Sequence, residues 1–100
     1  MSVLEITSVA DHDNVISNNR AAIIFFGWNG CGHCRNFEPV FRSLASQYPN
    51  IKFAHVETSN VKTVNTRQVP IFAIYQNGKG VTSVLGADKR EIVKMLDSLQ

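Results

Sequence analysis

The sequence predicts a single α/β domain over residues 1–100, with helices on both faces of a mixed sheet that is parallel in its N-terminal part and ends in an antiparallel hairpin. The first observation is the continuous apolar run Ala21–Trp28, which is typical of a strand covered on both faces. The second is the order strand, helix, strand, helix, strand in the first half, which favours parallel crossovers. The third is Asn77-Gly78, a hairpin signal between two β-rich runs. One hundred residues leave no room for a second domain.

The first elements are short. Val3–Ile6 reads as a strand, and Ser8 followed by Asp11 marks the start of a short polar helix that ends near residues 17–19. The run Ala21–Trp28 could also be a core helix. It is only eight residues long and rich in Ile and Phe, so a strand is favoured.

The longest helix begins at the two cysteines of the chain. Its apolar stripe consists of Phe37, Val40, Phe41, Leu44, Ala45 and Tyr48. Pro39 lies inside the stripe and predicts a kink about one turn beyond the cysteines, because proline has no backbone N–H to donate. Pro49-Asn50 predicts the end of the helix.

The second half adds three strands and one helix. Apolar and polar residues alternate in Ile51–Val56, and turn-forming residues flank this run, so it predicts a strand. The runs Ile71–Tyr75 and Val81–Leu85 predict the hairpin. Asp88, with Glu91 three residues later, predicts the N-cap of a last helix. The apolar stripe of that helix is Ile92, Met95, Leu96 and Leu99.

Charge and hydropathy exclude several classes of function. The ten basic and eight acidic residues are scattered and no run of Lys or Arg reaches three, so neither a nucleic-acid surface nor a membrane surface is expected. Glu5, Asp11 and Asp13 precede any apolar stretch of signal-peptide length, and no window approaches a membrane span. We therefore expect a cytoplasmic monomer, in a compartment where a cysteine pair is more often catalytic or metal-binding than structural.

Cys31 and Cys34, the only cysteines, form a CxxC motif at the start of the long helix. Their spacing is about one helical turn, so both sulfurs can lie on the same side of the helix start. The helix N-terminus and a protonated His33 both stabilise a thiolate at Cys31, and the thiolate is the nucleophilic form of cysteine. Cys34 lies one turn further in, beside the apolar stripe, and should be more buried and keep its proton.

Three other interpretations of the CxxC pair compete with a redox dithiol. A zinc site needs four ligands; the pair supplies two, His33 is too local, and His12 and His55 stand alone in unrelated contexts. A structural disulfide over so short a loop removes little chain entropy. Inert core thiols would not usually be flanked by Gly30 and Gly32, which favour an open turn. A redox dithiol is favoured, in which Cys31 attacks a substrate disulfide and Cys34 then displaces the substrate.

These motifs resemble the thioredoxin family over nearly the whole chain, and most closely a thioredoxin or a protein disulfide isomerase domain. The resemblance rests on FFGWNGCGHCRNFEP at residues 25–39, which includes Pro39, and on Arg67–Pro70 ahead of the hairpin. It also includes QNG at residues 76–78 and Gly86 before the last helix.

The resemblance implies a thioredoxin fold and a thiol–disulfide oxidoreductase that acts in electron transport. In the family the proline matching Pro70 is cis and lies against the cysteines, and its neighbouring backbone binds the substrate as an added strand. A plain interpretation of Pro70 also exists, since proline is tolerated at the start of a strand. The residues assigned to substrate binding are Trp28, Gly30, Gly32, Val69 and Pro70.

The implied partners are protein disulfide substrates and an electron donor, either a thioredoxin-reductase-like enzyme or glutathione. No cofactor or metal is expected beyond the redox-active Cys31–Cys34 disulfide. Two other classes of function stay open. One is a binding module on the same fold with incidental redox activity, and the other is a metal or Fe–S site shared between two chains.

The Cys-Gly-His-Cys motif resembles that of disulfide isomerase domains, whereas typical thioredoxins have Cys-Gly-Pro-Cys. A cation at His33 stabilises the reduced thiolate form and so raises the reduction potential. Thiolate stabilisation of about 1.4 kcal/mol corresponds to about 30 mV in a two-electron couple. The direction of the reaction, reductase or isomerase, therefore stays open.

Two positions and one segment depart from the family pattern. Phe25 stands where members usually carry a buried acid that moves the proton of the second cysteine, so Cys34 would need water, His55 or Glu57 instead. Gly30 replaces the usual tryptophan beside the first cysteine. The segment between Val56 and Pro70 is short and should hold a helix of a turn or two at most. We hypothesise that resolution by Cys34 is slow; the plain interpretation of His55 is a partly buried strand residue.

Overall fold

The computed structural model describes residues 3–61 and 68–99. Its elements in chain order are β1 (Leu4–Ile6), α1 (Val9–Asn18), β2 (Ala21–Gly27), α2 (Gly32–Gln47), β3 (Lys52–Glu57), β4 (Ile71–Gln76), β5 (Lys79–Leu85) and α3 (Lys89–Ser98). The short helix expected between Val56 and Pro70 falls mainly on residues 62–67, outside the described residues. Within the described ranges, no helix combines the length and the apolar character that crossing a membrane requires.

The five strands form one mixed sheet in the order β1-β3-β2-β4-β5. Strand β3 is parallel to both β1 and β2, whereas β4 is antiparallel to β2 and to β5. All seven residues of β2 are buried, as expected for an apolar central strand covered on both faces. This strand ends at Gly27, one residue before the predicted end, and Trp28 is half exposed.

Local signals explain where the elements begin and turn. Ser8 accepts a hydrogen bond from the backbone N–H of Asp11 at 3.0 Å, and Asp88 accepts one from Glu91 at 3.1 Å, so both predicted N-caps are confirmed. Asn77 and Gly78 both have positive φ, 55° and 80°, which is the geometry of a tight hairpin turn.

The sheet separates two apolar clusters. Helices α2 and α3 contribute to the larger one, which includes Phe25, Phe41 and Phe72; helix α1 covers the smaller one, which includes Phe26. Helices therefore lie on both faces of the sheet, as predicted. Cys34 belongs to the larger cluster, so the cysteine motif is attached to the main core of the protein.

Candidate active site

The CxxC motif lies at the carboxyl end of the central strand β2. After Gly27 the chain makes a short turn in which the Cys31 N–H donates to the Trp28 carbonyl at 2.9 Å. Arg35, from the first turn of α2, donates from Nη1 to the carbonyl of Asn29 at 3.2 Å. These two hydrogen bonds fix the turn and position Cys31 as the N-cap of α2.

Cys31 and Cys34 are joined by a disulfide, with their Cα atoms 5.2 Å apart. The backbone N–H of Cys34 donates to Cys31 Sγ at 3.1 Å. Cys31 is half-buried, whereas Cys34 is 4% exposed, so the predicted difference in burial is confirmed. A disulfide with one accessible sulfur at a helix N-terminus can exchange with an external thiol or disulfide, and the pair carries two electrons.

Trp28 and Gly30 pack together in the turn that precedes the disulfide. Trp28 is 50% exposed, and a Cβ on Gly30 would collide with ring atoms Cη2 and Cζ3 of Trp28. Gly30 therefore lets the indole ring lie across the turn. Gly32 is exposed, and a Cβ there would meet no atom within 4 Å.

Val69 and Pro70 lie at the start of β4, beside the end of β2. Ile71 pairs with Phe26 of β2, and the Pro70 carbonyl accepts a hydrogen bond from the Gly86 N–H at 2.8 Å. The peptide bond between Val69 and Pro70 is cis. Val69 is half-buried against the same apolar cluster as Cys31, while Pro70 is buried. The fold thus places the two distant segments of the predicted site, the CxxC turn after β2 and Val69-Pro70 before β4, at the same end of the sheet.

His33 is exposed in the first turn of α2, two residues from Cys31. Among the described residues, no group of three His, Cys, Asp or Glu side chains could hold a metal ion.

Behind the disulfide, the position of the missing acid is filled by an aromatic cluster. Phe25 is 1% exposed, and its ring centroid lies 4.7 Å from that of Phe72 and 5.1 Å from that of Phe41. His55 of β3 closes the other side, with its ring edge-on to Phe25 at 5.1 Å. Nδ1 of His55 lies 2.8 and 3.0 Å from the two carboxylate oxygens of Glu5.

Sequence reasoning missed Glu5 and Gly27 as parts of this site. The sequence signal for Glu5 is its position directly before Ile6. Because side chains alternate between the two faces of a strand, Glu5 lies on the face of β1 opposite to Ile6. The parallel register Glu5↔His55 is what brings the pair together, and a single sequence does not specify it. Gly27 lies within the apolar run Ala21–Trp28, and the sequence holds no signal that distinguishes it from an ordinary strand residue.

A family model described as Thioredoxin matches residues 3–98. The chain belongs to the thioredoxin family. Thioredoxin 1 of Plasmodium falciparum is 29% identical over 96 residues, which cover 92% of this chain and 92% of that protein.

Solved thioredoxin structures extend this similarity to three dimensions. A Plasmodium falciparum thioredoxin superposes with a TM-score of 0.90 at 29% identity, covering 96% of this chain and 98% of that one. Thioredoxin from Trypanosoma brucei brucei gives 0.91 at 27% identity, covering 98% and 90%. The thioredoxin fold expected from the motifs is confirmed. With its Cys31–Cys34 disulfide, this member of the thioredoxin family is a thiol–disulfide oxidoreductase.

Proposed function

We propose that this protein reduces or exchanges disulfides of other proteins, with Cys31 as the nucleophile and Cys34 as the resolving cysteine. The observation that carries these roles is the difference in access between the two sulfurs. Cys31 caps the helix and is half-buried, whereas Cys34 is 4% exposed and packed in the main core. A bulky protein substrate can approach only the first.

In the reductive direction, the Cys31 thiolate attacks one sulfur of a substrate disulfide. A Cys31–substrate disulfide forms, the substrate disulfide breaks, and the first substrate thiolate leaves and takes up a proton. Cys34 then loses its proton and attacks Cys31 Sγ, which releases the second substrate thiolate. The substrate gains two electrons and two protons and the Cys31–Cys34 disulfide forms. An external dithiol then reduces that disulfide back to the two thiols.

The surface in front of Cys31 suits an extended peptide. The half-exposed Trp28 and the open Gly32 offer a flat contact, and Val69 with Pro70 lies at the start of a strand beside β2. A substrate chain added along Val69 would use backbone hydrogen bonds, which demand no particular sequence. We propose Trp28, Gly30, Gly32, Val69 and Pro70 as the substrate-binding residues.

Regeneration requires an electron donor, and we propose a thioredoxin-reductase-like enzyme or glutathione acting in the cytoplasm. His33, exposed beside Cys31, is proposed to favour the reduced form by its positive charge. The reduction potential of the pair in a glutathione buffer separates the two directions. A value near −270 mV, that of thioredoxin, indicates a reductase, and one near −180 mV indicates an oxidant or isomerase.

Insulin reduction with dithiothreitol tests the activity. Wild-type protein should accelerate precipitation of the insulin B chain, and Cys31→Ser should not. Reduced Cys34→Ser, freed of dithiothreitol before mixing, should instead accumulate a covalent disulfide with insulin, since the first attack proceeds and resolution does not. A wild-type rate equal to that of Cys31→Ser would contradict the enzymatic proposal and favour a binding module.

A further inference from the structure

We propose that His55, held in place by Glu5, takes the proton from Cys34 when Cys34 resolves the mixed disulfide. This inference rests on the proposed roles of Cys31 and Cys34. Cys34 is 4% exposed, so its thiol needs a proton acceptor inside the protein. Phe25, its neighbour in the main core, has none to offer.

The orientation of the His55 ring leaves one nitrogen facing the cysteine. A carboxylate only accepts hydrogen bonds, so the contact of 2.8 Å between Glu5 and Nδ1 requires the proton on Nδ1. In the neutral ring, Nε2 is then the basic nitrogen. Nε2 lies 3.4 Å from the point where a Cβ on Gly27 would sit, and Cys34 Cβ lies 3.4 Å from the same point.

Gly27 lies between His55 and Cys34, and a Cβ there would also meet Phe25 Cε1 at 3.2 Å. The His55 Nε2 and Cys34 Cβ atoms are separated by no more than twice 3.4 Å, and the proposed transfer runs from the Cys34 thiol to Nε2 directly or through a water. The positive-φ glycines of the described chain are Gly78 and Gly86, so the backbone at Gly27 does not itself require glycine. A side chain there would fill the space that the proton must cross.

Two other acids on the surrounding elements have partners of their own. Glu57 of β3 accepts hydrogen bonds from the N–H and the hydroxyl of Ser59, at 3.2 and 2.7 Å, so its carboxylate is held toward Ser59. Glu38 of α2 forms an ion pair with Arg42 at 2.9 Å. Glu5 faces His55 and serves as a positioning residue, because it fixes the tautomer and stabilises the imidazolium once the proton has moved.

The proton of Cys34 passes to Nε2 of His55, and the Cys34 thiolate attacks Cys31 Sγ. The Cys31–Cys34 bond forms while the bond from Cys31 to the substrate sulfur breaks, so the substrate leaves as a thiolate. His55 then returns the proton to that thiolate or to water.

The test separates the two chemical steps by stopped-flow mixing of the reduced protein with 5,5′-dithiobis(2-nitrobenzoate). Attack by Cys31 releases the first thionitrobenzoate, and resolution by Cys34 releases the second. His55→Gln can still donate to Glu5 but cannot accept a proton. We expect it to slow the second phase at pH 7 by at least about 10-fold. The first phase should be unchanged.

Two variants and a change of pH complete the design. Glu5→Gln should slow the second phase less, and Gly27→Ala should slow it while leaving the first phase intact. Raising the pH to about 9 should restore much of the second phase in His55→Gln, because Cys34 then ionises without a base. A purely structural role for His55 would show no such rescue.

The matched control is His12→Gln. His12 also pairs with a carboxylate, Asp13 at 3.1 Å, but it packs against Phe26 on the opposite face of the sheet. An unchanged second phase in His55→Gln, or an equal slowing in His12→Gln, overturns the proposal. If the proposed roles of Cys31 and Cys34 are wrong, the result is different. In that case Cys31→Ser would keep the first phase, or Cys34→Ser would keep the second.

Discussion

Two single residues are proposed to act on the redox pair from the surface. His33 is exposed in the first turn of α2 and is proposed to favour the reduced form, and Gly30 leaves room for the Trp28 ring. Both act from outside the core, so their effects should be on function and should leave stability nearly unchanged.

Replacing His33 should make the reduction potential more negative. In His33→Ala the side chain proposed to carry a positive charge beside the Cys31 thiolate is lost, and each loss of about 1.4 kcal/mol of thiolate stabilisation shifts the two-electron couple by about −30 mV. Equilibration in glutathione buffers measures the shift, with His12→Ala as the control. An unchanged or less negative potential would contradict the role proposed for His33.

Replacing Gly30 should displace the Trp28 ring. A methyl group in Gly30→Ala would collide with Cη2 and Cζ3, so the exposed indole must rotate away. Trp28 is the only tryptophan of the chain, and its fluorescence therefore reports the change directly. Gly32→Ala is the matched control, because a Cβ there meets no atom within 4 Å. Identical emission spectra for wild type and Gly30→Ala would refute this packing.

At the scale of elements, helices α2 and α3 are tied together on one face of the sheet. The Tyr48 hydroxyl, at the C-cap of α2, donates to Asp97 Oδ1 of α3 at 2.6 Å. This hydrogen bond, and then burial, raises the pKa of Tyr48. The fold thus favours the protonated phenol. The stabilisation is complete below the ordinary tyrosine pKa of about 10 and is lost as the pH rises through the higher value in the folded protein.

Tyr48→Phe should therefore destabilise the protein by about 1 kcal/mol at pH 7, the usual worth of one hydrogen bond. The difference from wild type should shrink as the pH rises beyond about 10. Urea unfolding at pH 7 and at alkaline pH measures both. Tyr75→Phe is the control, because burial alone raises the pKa of Tyr75. A difference that stays constant with pH would argue against the Tyr48–Asp97 bond.

The elements themselves were largely predictable from the sequence, because periodicity, caps and the Asn77-Gly78 turn are local signals. The cysteine pair was predictable for the same reason. The Glu5–His55 contact was not, since it depends on the register of two strands 50 residues apart in the chain. Nor was the aromatic cluster around Phe25, because no local pattern specifies which rings meet in a core.

For the whole molecule, the sheet separates two cores of unequal character. The larger core surrounds Phe25 with aromatic rings, among them Phe37 at 6.2 Å and Phe72 at 4.7 Å. In the smaller core, the ring contact recorded for Phe26 is with His12 at 6.2 Å. The core that holds Cys34 is thus the aromatic one, and an acid at position 25 would bury its charge among rings.

Phe25→Leu should lower the free energy of unfolding by about 1–3 kcal/mol, through lost ring contacts and a small cavity. Phe26→Leu is the matched control on the opposite face and should cost less. Chemical denaturation of both variants measures the difference. Equal losses would show that the aromatic contacts around Phe25 add nothing beyond burial.

The strand that carries Glu5 has a consequence for temperature. Strand β1 is three residues long and lies at the edge of the sheet, paired with β3 alone. A strand this short, with a partner on one side only, frays at a much lower free energy than the core unfolds. Under the proposed relay, fraying of β1 releases His55 from Glu5 while the disulfide and the fold stay intact. Warming should then slow the second, resolving phase of the reaction with 5,5′-dithiobis(2-nitrobenzoate) well before the protein melts.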